Sequence, residues 1–263
     1  MVLEKDKDLF QKIYKKEREG NYLEVQEDLN HLLIKYPRTI EGEEEQLFRG
    51  ELLLTNSIIL IYKKNYQIAR ANTEEVVKIF EKYQKWDRLA HALNRIAETF
   101  RFEKQYNKAK EYTEKAIETL KKECTREELK KVLPPFWREL ADALIRLEKL
   151  EEAENILLEA IKDTEETGDE FTKGHLALTL FTLYLKENRL EEAEKYLKIG
   201  EDILVKQAVK HKSIPTEIII KRDWANFYSK KGETEKREEF LKEALKLAKE
   251  YGFDYLSGEL AKD

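Results

Sequence analysis

The sequence predicts an all-α protein: a right-handed α-solenoid of about six helix–turn–helix units closed by a C-terminal capping helix. Three observations predict this class. Charged residues make up 39% of the 263-residue chain and apolar ones 41%, while Gly (9) and Pro (4) are scarce. That is the composition of long solvated helices, each with one apolar stripe. Few stretches alternate apolar and polar residues over six positions, so strand signals are weak. The pentapeptide LEEAE occurs at 150–154 and again at 190–194, and self-similarity at such a distance marks a repeat architecture.

Leu150 and Leu190 each close a short polar turn between two amphipathic runs, and four other positions do the same. Tyr22 follows Gly20-Asn21, Tyr66 follows Lys64-Asn65, Tyr106 follows Lys104-Gln105, and Thr234 follows Gly232-Glu233. Three residues after these anchors stand Val25, Ala69, Ala109, Ala153, Ala193 and Arg237. Ten after them stand Leu32, Val76, Ala116, Ala160, Gly200 and Ala244. Six before the last five anchors are Leu60, Phe100, Leu144, Tyr184 and Tyr228, and nine before are Ser57, Ala97, Ala141, Phe181 and Ala225. Two antiparallel helices joined by a tight turn cross near it. Small residues there let the backbones approach, and large ones a turn away fill the remaining gap. So thin a pair cannot bury its apolar stripe alone and leans on the next pair.

Successive anchors at 22, 66, 106, 150, 190 and 234 lie 44, 40, 44, 40 and 44 residues apart, so anchors two units apart are always separated by 84. Gly168 and Gly252 share that separation. Three tandem copies of a two-hairpin unit follow. The expected domain is one solenoid over 1–263, with repeats at 3–37, 40–84, 86–123, 135–168, 169–209 and 215–252 and a capping helix at 253–262. Connectors are expected to be short at Gln84–Trp86 and Thr167–Asp169 and longer at Tyr36–Glu41, Glu123–Pro135 and Gln207–Pro215. Pro134-Pro135 and Pro215 suit first helical turns. Thr125–Glu128 reads as a capping box opening a short helix in the longest connector. Tyr255, Leu256 and Leu260 suit a helix that covers the last apolar edge.

The pattern resembles the tetratricopeptide repeat. Trp137, Leu140, Ala141, Leu144, Leu150, Ala153, Leu157 and Ala160 match it nearly position for position, and the likeness runs from about Leu9 to Tyr251. Ser57 and Arg237 depart from it, as does Lys16, which stands where an aromatic is expected. The period exceeds the family's usual ~34 residues. This longer class is similar to the arrays of kinesin light chains and of bacterial peptide-pheromone sensors.

Chemistry is sparse. The net charge of −5 is interleaved rather than blocked, and no basic stripe marks a nucleic-acid binder. The longest uncharged runs, Leu52–Tyr62 and Gly174–Leu185, are too short to cross a bilayer. The charged N-terminus carries no secretory signal. Lone Cys124 fits a reducing compartment, so a cytoplasmic location is expected. Met1 is the sole methionine, and Lys and Glu dominate the charged set. A hyperthermophile shows this bias, and so does an AT-rich genome. His31, His91, His175 and His211 have no metal-ligand spacing, and no phosphate loop or zinc-protease motif is present. No enzyme activity, metal or cofactor is expected. Cys124 reads as structural, and Trp86, Trp137 and Trp224 as core residues.

In tetratricopeptide arrays the first helix of each pair lines a concave groove, and the resemblance carries that role to positions between the packing residues here. They are Leu54, Ile58 and Ile61; His91, Asn94, Glu98 and Arg101; Arg138, Asp142 and Ile145; His175, Leu178, Thr182 and Leu185; and Arg222, Asn226 and Ser229. Within each helix they share a face by three- and four-residue steps. Asn94 and Asn226 suit hydrogen bonds to a peptide backbone, and Arg101 and Arg138 suit a carboxylate. Equally, Arg138 and Asp142 suit an intrahelical pair, Leu54 and Ile58 suit burial by closure of the superhelix, and His91 and His175, 84 apart, suit plain repeat equivalence. The expected function is a protein- or peptide-binding scaffold or adaptor. The alternative is a peptide-responsive regulator resembling the pheromone sensors without their N-terminal effector domain. A protein or peptide partner is expected, nucleic acid and membrane are not, and homodimerisation is left open.

Overall fold

The computed structural model describes residues 2–18, 22–206 and 213–251. Among them are thirteen α-helices, one π-helical segment and no strand. The chain divides into two compact units, Met1–Leu129 and Lys130–Asp263. The first holds the hairpins α1 (Val2–Arg18) with α2 (Tyr22–Lys35), α3 (Glu43–Tyr62) with α4 (Tyr66–Lys82), and α5 (Trp86–Phe102) with α6 (Tyr106–Glu123). The boundary falls within α7 (Arg126–Val132). The second holds α8 (Pro134–Arg146) with α9 (Leu150–Thr167), α10 (Glu170–Lys186) with α11 (Leu190–Glu201), and α12 (Ile214–Lys231) with α13 (Thr234–Glu250). A π-helical turn, Asp202–Lys206, extends α11. Within each unit consecutive hairpins stack side by side, α2 on α3 and α4 on α5, then α9 on α10 and α11 on α12. Each unit is therefore an all-α solenoid stack.

All six anchors are first residues of second helices. In the five described hairpin turns, the residue two before the anchor takes the left-handed conformation: Lys64 (φ 60°), Lys104 (60°), Glu148 (61°), Asn188 (60°) and Gly232 (75°). The next N–H returns to the carbonyl five residues back. Asn65 donates to Leu60 at 2.8 Å, Gln105 to Phe100 at 2.9 Å, Lys149 to Leu144 at 3.0 Å, Arg189 to Tyr184 at 2.9 Å and Glu233 to Tyr228 at 2.9 Å. This helix-ending motif satisfies carbonyls that the first helix leaves open. Its acceptor is always the large residue six before the anchor. One repeated turn thus fixes where the two helices of each hairpin diverge.

The small residues at the crossings are sealed: Ala69, Ala109, Ala153 and Ala193 are fully buried, as are Ala116 and Ala160. Ser57, which departs from the repeat, is buried with its hydroxyl bonded to the Leu53 carbonyl at 2.8 Å. Thr73 of α4 donates to that hydroxyl at 3.0 Å, so the polar substitution is satisfied across the same hairpin. The connectors between hairpins follow the expected alternation. Three residues separate α4 from α5 and two separate α9 from α10, against seven between α2 and α3 and ten, including α7, between α6 and α8. Thr125 and Glu128 cap α7 reciprocally, the Thr125 N–H reaching Glu128 Oε2 at 2.8 Å. Pro134 and Pro215 sit in first turns. Gly168 ends α9 in the left-handed conformation (φ 74°). The turn at Gly20-Asn21, the stretch Gln207–Lys212 with His211, Gly252 and the capping helix expected at 253–262 lie outside the described residues.

Candidate binding site

The first helices of unit 1 wall a pocket of about 620 Å³. From α1 come Lys7, Phe10, Gln11 and Tyr14, from α3 Glu44, Leu47, Phe48 and Glu51, and from the entrance of α5 Lys85 and Arg88, with Phe80 of α4. Its floor is apolar because these aromatics also build the core. Phe10 meets Phe48 edge to face at 5.6 Å, and Phe48 meets Tyr36 at 4.9 Å. The wall stays polar because its charges neutralise one another. Arg88 Nε donates to Glu51 Oε1 at 2.6 Å and a second N–H reaches Oε2, a fork-on-fork pair. Lys7 bridges Glu4 at 3.1 Å and Glu44. Tyr14 stands 42% exposed at the edge. An apolar floor ringed by satisfied ion pairs favours an uncharged, bulky side chain, since a ligand charge would have to compete with partners already in place.

None of the residues singled out from the sequence lines this pocket, yet it lies on the predicted face. On α3 the positions 44, 47, 51, 54, 58 and 61 form one stripe of three- and four-residue steps, and on α5 Arg88 precedes His91 by the same step. The pocket sits toward the start of these helices. Leu54 and Ile61, further along α3, are buried (7% and 3% exposed). Leu54 belongs to the core cluster of Leu53, Val76, Phe80, Leu89 and Ala92. These two side chains pack the stack, and Ile58 between them is half-buried. The physical signal that would have found Phe10, Tyr14, Leu47 and Arg88 was extension of the stripe toward the helix entrances.

The candidates on α5 split. Asn94 is half-buried, and its Oδ1 is buried with no hydrogen-bond partner among the described residues. Arg101 lies 3.7 Å from Glu98 and over the Phe102 ring at 4.5 Å, and Arg95 also bonds Glu98. Its guanidinium is engaged within its own helix. His91 is solvent-exposed, yet surrounding protein atoms still desolvate its ring, and that desolvation, then Arg88 and Arg95, disfavours the charged form and brings its pKa down to about 4.

In unit 2, Arg138 of α8 and His175 of α10 lie close enough to interact. Desolvation and then the Arg138 charge push His175 down to about 3. Phe171, largely exposed, meets the His175 ring edge to face at 4.8 Å. Thr182 donates to the Leu178 carbonyl at 3.1 Å. Arg222 pairs with buried Asp223 at 2.9 Å, and burial raises the Asp223 pKa against that pairing. Asp142 and Asn226 are half-buried and Ile145 is buried. Leu178 is buried against Gly200. A second pocket, about 770 Å³, opens elsewhere in this unit between α9, α10, α11 with its π turn, and Trp224.

Cys124 is half-buried, and burial followed by Glu128, Asp87 and Glu123 raises its thiol pKa, which disfavours the thiolate. Among the described residues no group of three or more His, Cys, Asp or Glu side chains is placed to hold a metal ion. None of the described helices is long and apolar enough to cross a membrane.

Stacked hairpins with a repeated turn and a pocket between first helices define a repeat protein of the α-solenoid class. The family model for the tetratricopeptide repeat matches residues 90–119 and 225–251, within the third and sixth hairpins. Two segments of the chain thus match the tetratricopeptide repeat, and the hairpins that hold them have its helix–turn–helix form. The fourth hairpin, whose residues carry the likeness most fully by eye, is not among the matched segments. No curated protein matches the sequence. Among solved structures, a Rap protein complexed with Competence and Sporulation Factor is similar at TM-score 0.68 and 14% identity, over 95% of this chain and 71% of that one. BtubC (BKLC) from P. vanneervenii is similar at TM-score 0.61 and 14% identity, over 90% and 92%. Kinesin light chain repeats from Podosopora anserina are similar at TM-score 0.52 and 19% identity, over 80% and 97%. At these identities the likeness is one of fold.

Proposed function

We propose that the chain is a non-catalytic scaffold that captures a protein or peptide segment on the face formed by its first helices. The pocket between α1, α3 and α5 is the anchor point. The observation that carries this reading is the combination of an aromatic floor with a rim whose charges are already paired. Each Leu- or Phe-sized side chain buried there contributes roughly 1.5–3 kcal/mol, and a wall of stacked helices reduces the ordering cost of binding. Asn94, with its unbonded Oδ1, is the best-placed of the sequence candidates to accept a hydrogen bond from a peptide N–H. The cytoplasm, as a reducing compartment, suits Cys124.

The second reading is a peptide-responsive regulator. What favours it is the fold likeness across 95% of the chain to a Rap protein crystallised with Competence and Sporulation Factor. The two readings differ in consequence: a regulator changes the state of another protein when peptide binds.

The test uses fluorescent peptides selected from a random display library against the full chain. Anisotropy titration of wild type and Leu47→Glu follows, with circular dichroism to establish equal helicity. The reading expects the glutamate to weaken binding about tenfold or more, because a charge would be buried on an apolar floor. Equal affinities in the two proteins would reject the pocket as the anchor.

A further inference from the structure

The pocket of about 770 Å³ in unit 2 has a smaller copy in unit 1. That copy, about 250 Å³, lies between α4 and α6 over the start of α5. Val77, Glu81, Leu93 and Thr119 line it, and the residues 84 positions on, Ile161, Glu165, Ala177 and Ile203, line the larger pocket between α9 and α11. One groove therefore recurs with the repeat, and two replacements account for its growth. Half-buried Leu93 becomes Ala177, which removes a side chain from the floor. Ala90 becomes Gly174, where a Cβ would stand 2.7 Å from Leu204 Cγ and 3.0 Å from Ile203 Cγ2. The missing methyl admits the π turn, whose Asp202 and Ile203 form part of the wall, whereas α6 stays α-helical over the matching stretch. Single π turns of this kind are frequent at functional sites. Trp224 of α12 completes the lining.

The charges change along with the space. Where α6 carries Glu111 and Glu114, α11 carries Lys195 and Lys198, and Leu89 gives way to Lys173. Two changes run the other way: Lys115 gives way to Ile199, and Ile117 to Glu201. The new Glu201 carboxylate is engaged, because Trp224 Nε1–H donates to it at 3.2 Å. Lys173 pairs with Glu165 at 3.1 Å, and Lys198 with Glu194 at 2.5 Å on an exposed face where such a pair holds weakly. Lys195 has the Tyr196 ring, 5.3 Å from its Nζ, and no carboxylate pairs with it among the described residues. A cation without a counter-charge thus borders a wall of Ile161, Ala177, Ile199 and Ile203.

We infer that the enlarged groove of unit 2 is a binding site for a small aromatic carboxylic acid, with the ring on the apolar wall between α9 and α11 and the carboxylate on Lys195. Its volume falls within the roughly 300–1,000 Å³ of small-molecule sites. Tyr196 and Trp224 supply aromatic surface for a ring, and the ammonium supplies a charge-assisted hydrogen bond. The site is separate from the first-helix pocket and takes a different kind of ligand. The unit 1 groove, with less room and with acids at the positions of Lys195 and Lys198, is its internal comparison.

The experiment makes the unit 2 groove resemble its unit 1 copy, one residue at a time, in the full chain. The probe is naphthalene-1-acetate, with naphthalene-1-acetamide as its neutral match, each titrated by saturation-transfer NMR. Wild type should bind the acid about tenfold or more tightly than the amide. Lys195→Glu restores the unit 1 charge at an exposed position and should abolish that preference while leaving the amide unchanged. Ala177→Leu restores the unit 1 floor and should weaken both ligands about tenfold or more, with circular dichroism to establish helicity. Should Ala177→Leu fail to fold, Lys195→Glu decides alone. No binding of the acid to wild type, equal affinity for acid and amide, or a preference that survives Lys195→Glu would overturn the inference. So would undiminished binding to a folded Ala177→Leu protein.

Discussion

Gly200 of α11 lies against Leu178 and the Gly174 carbonyl of α10, and replacing it by alanine measures how tight that approach is. A Cβ at this position would stand 2.5 Å from Leu178 Cδ2, 2.8 Å from Leu178 Cγ and 3.3 Å from the Gly174 carbonyl oxygen. Leu178 is buried, and its branch point cannot swing clear without displacing its neighbours. The opposite wall is no softer, because a Cβ at Gly174 would meet Leu204 Cγ at 2.7 Å. Overpacking of this kind costs about 1–3 kcal/mol, and two overlaps this short point to the upper half of the range. Alanine recovers roughly 1 kcal/mol of helix propensity, so Gly200→Ala should destabilise by about 1–2 kcal/mol. Urea denaturation followed by circular dichroism reads the change. Gly50→Ala is the internal comparison: its Cβ would meet the edge of the Phe80 ring at 3.0–3.1 Å and Ile79 Cγ2 at an ordinary 3.6 Å, and it should fall within about 1 kcal/mol of wild type. Adding Leu178→Ala to Gly200→Ala should cost less than Leu178→Ala costs alone, because the new methyl fills the space that the leucine vacates. A Gly200→Ala protein as stable as wild type, with additive behaviour in the double variant, would refute close approach as the role of this glycine.

Ala153→Leu should destabilise by about 1–3 kcal/mol in the same assay, since the crossing of α8 and α9 is sealed around a methyl group. The left-handed turn position gives a pair of opposite effects: Gly232→Ala should lose about 1 kcal/mol, and Lys104→Gly should gain up to about 1 kcal/mol. The folded pKa values of His91 and His175, about 4 and about 3, lie below their ordinary 6.5. The unfolded chain therefore binds more protons between those values, and stability is full above 6.5 and declines as pH falls through that window. The melting midpoint should drop from pH 7 to pH 4.5, and His175→Gln should flatten the drop. Both imidazoles stay neutral above pH 6, so affinity for a captured peptide should be the same at pH 6 and pH 8, as an anisotropy titration can show.

The fold was legible because the repeat is written in residue size. Anchors, small crossing residues and large turn residues fall at fixed offsets, and the offsets six before and three after the anchor are hydrogen-bonded positions of one turn. The left-handed residue two before each anchor was hidden, because four of its five occupants are Lys, Glu or Asn rather than glycine. Only Gly232 advertises it. The proposed binding face was half legible. Three- and four-residue steps identify a helix stripe, but not which stretch of the stripe remains open once neighbours pack. Leu54 and Leu47 are equivalent by periodicity. Leu54 is closed off by the α4 and α5 residues of its cluster, while Leu47 sits near the helix entrance, where Phe10 and Phe80 leave a gap.

Hydrogen exchange read by mass spectrometry, on the full chain with and without a library-selected peptide, bears most directly on the binding face. Protection that appears in α1, α3 and the start of α5, and vanishes in Leu47→Glu, agrees with capture at the first-helix pocket. Protection confined to α9, α11 and the π turn, with α1 and α3 exchanging as in the free protein, contradicts it.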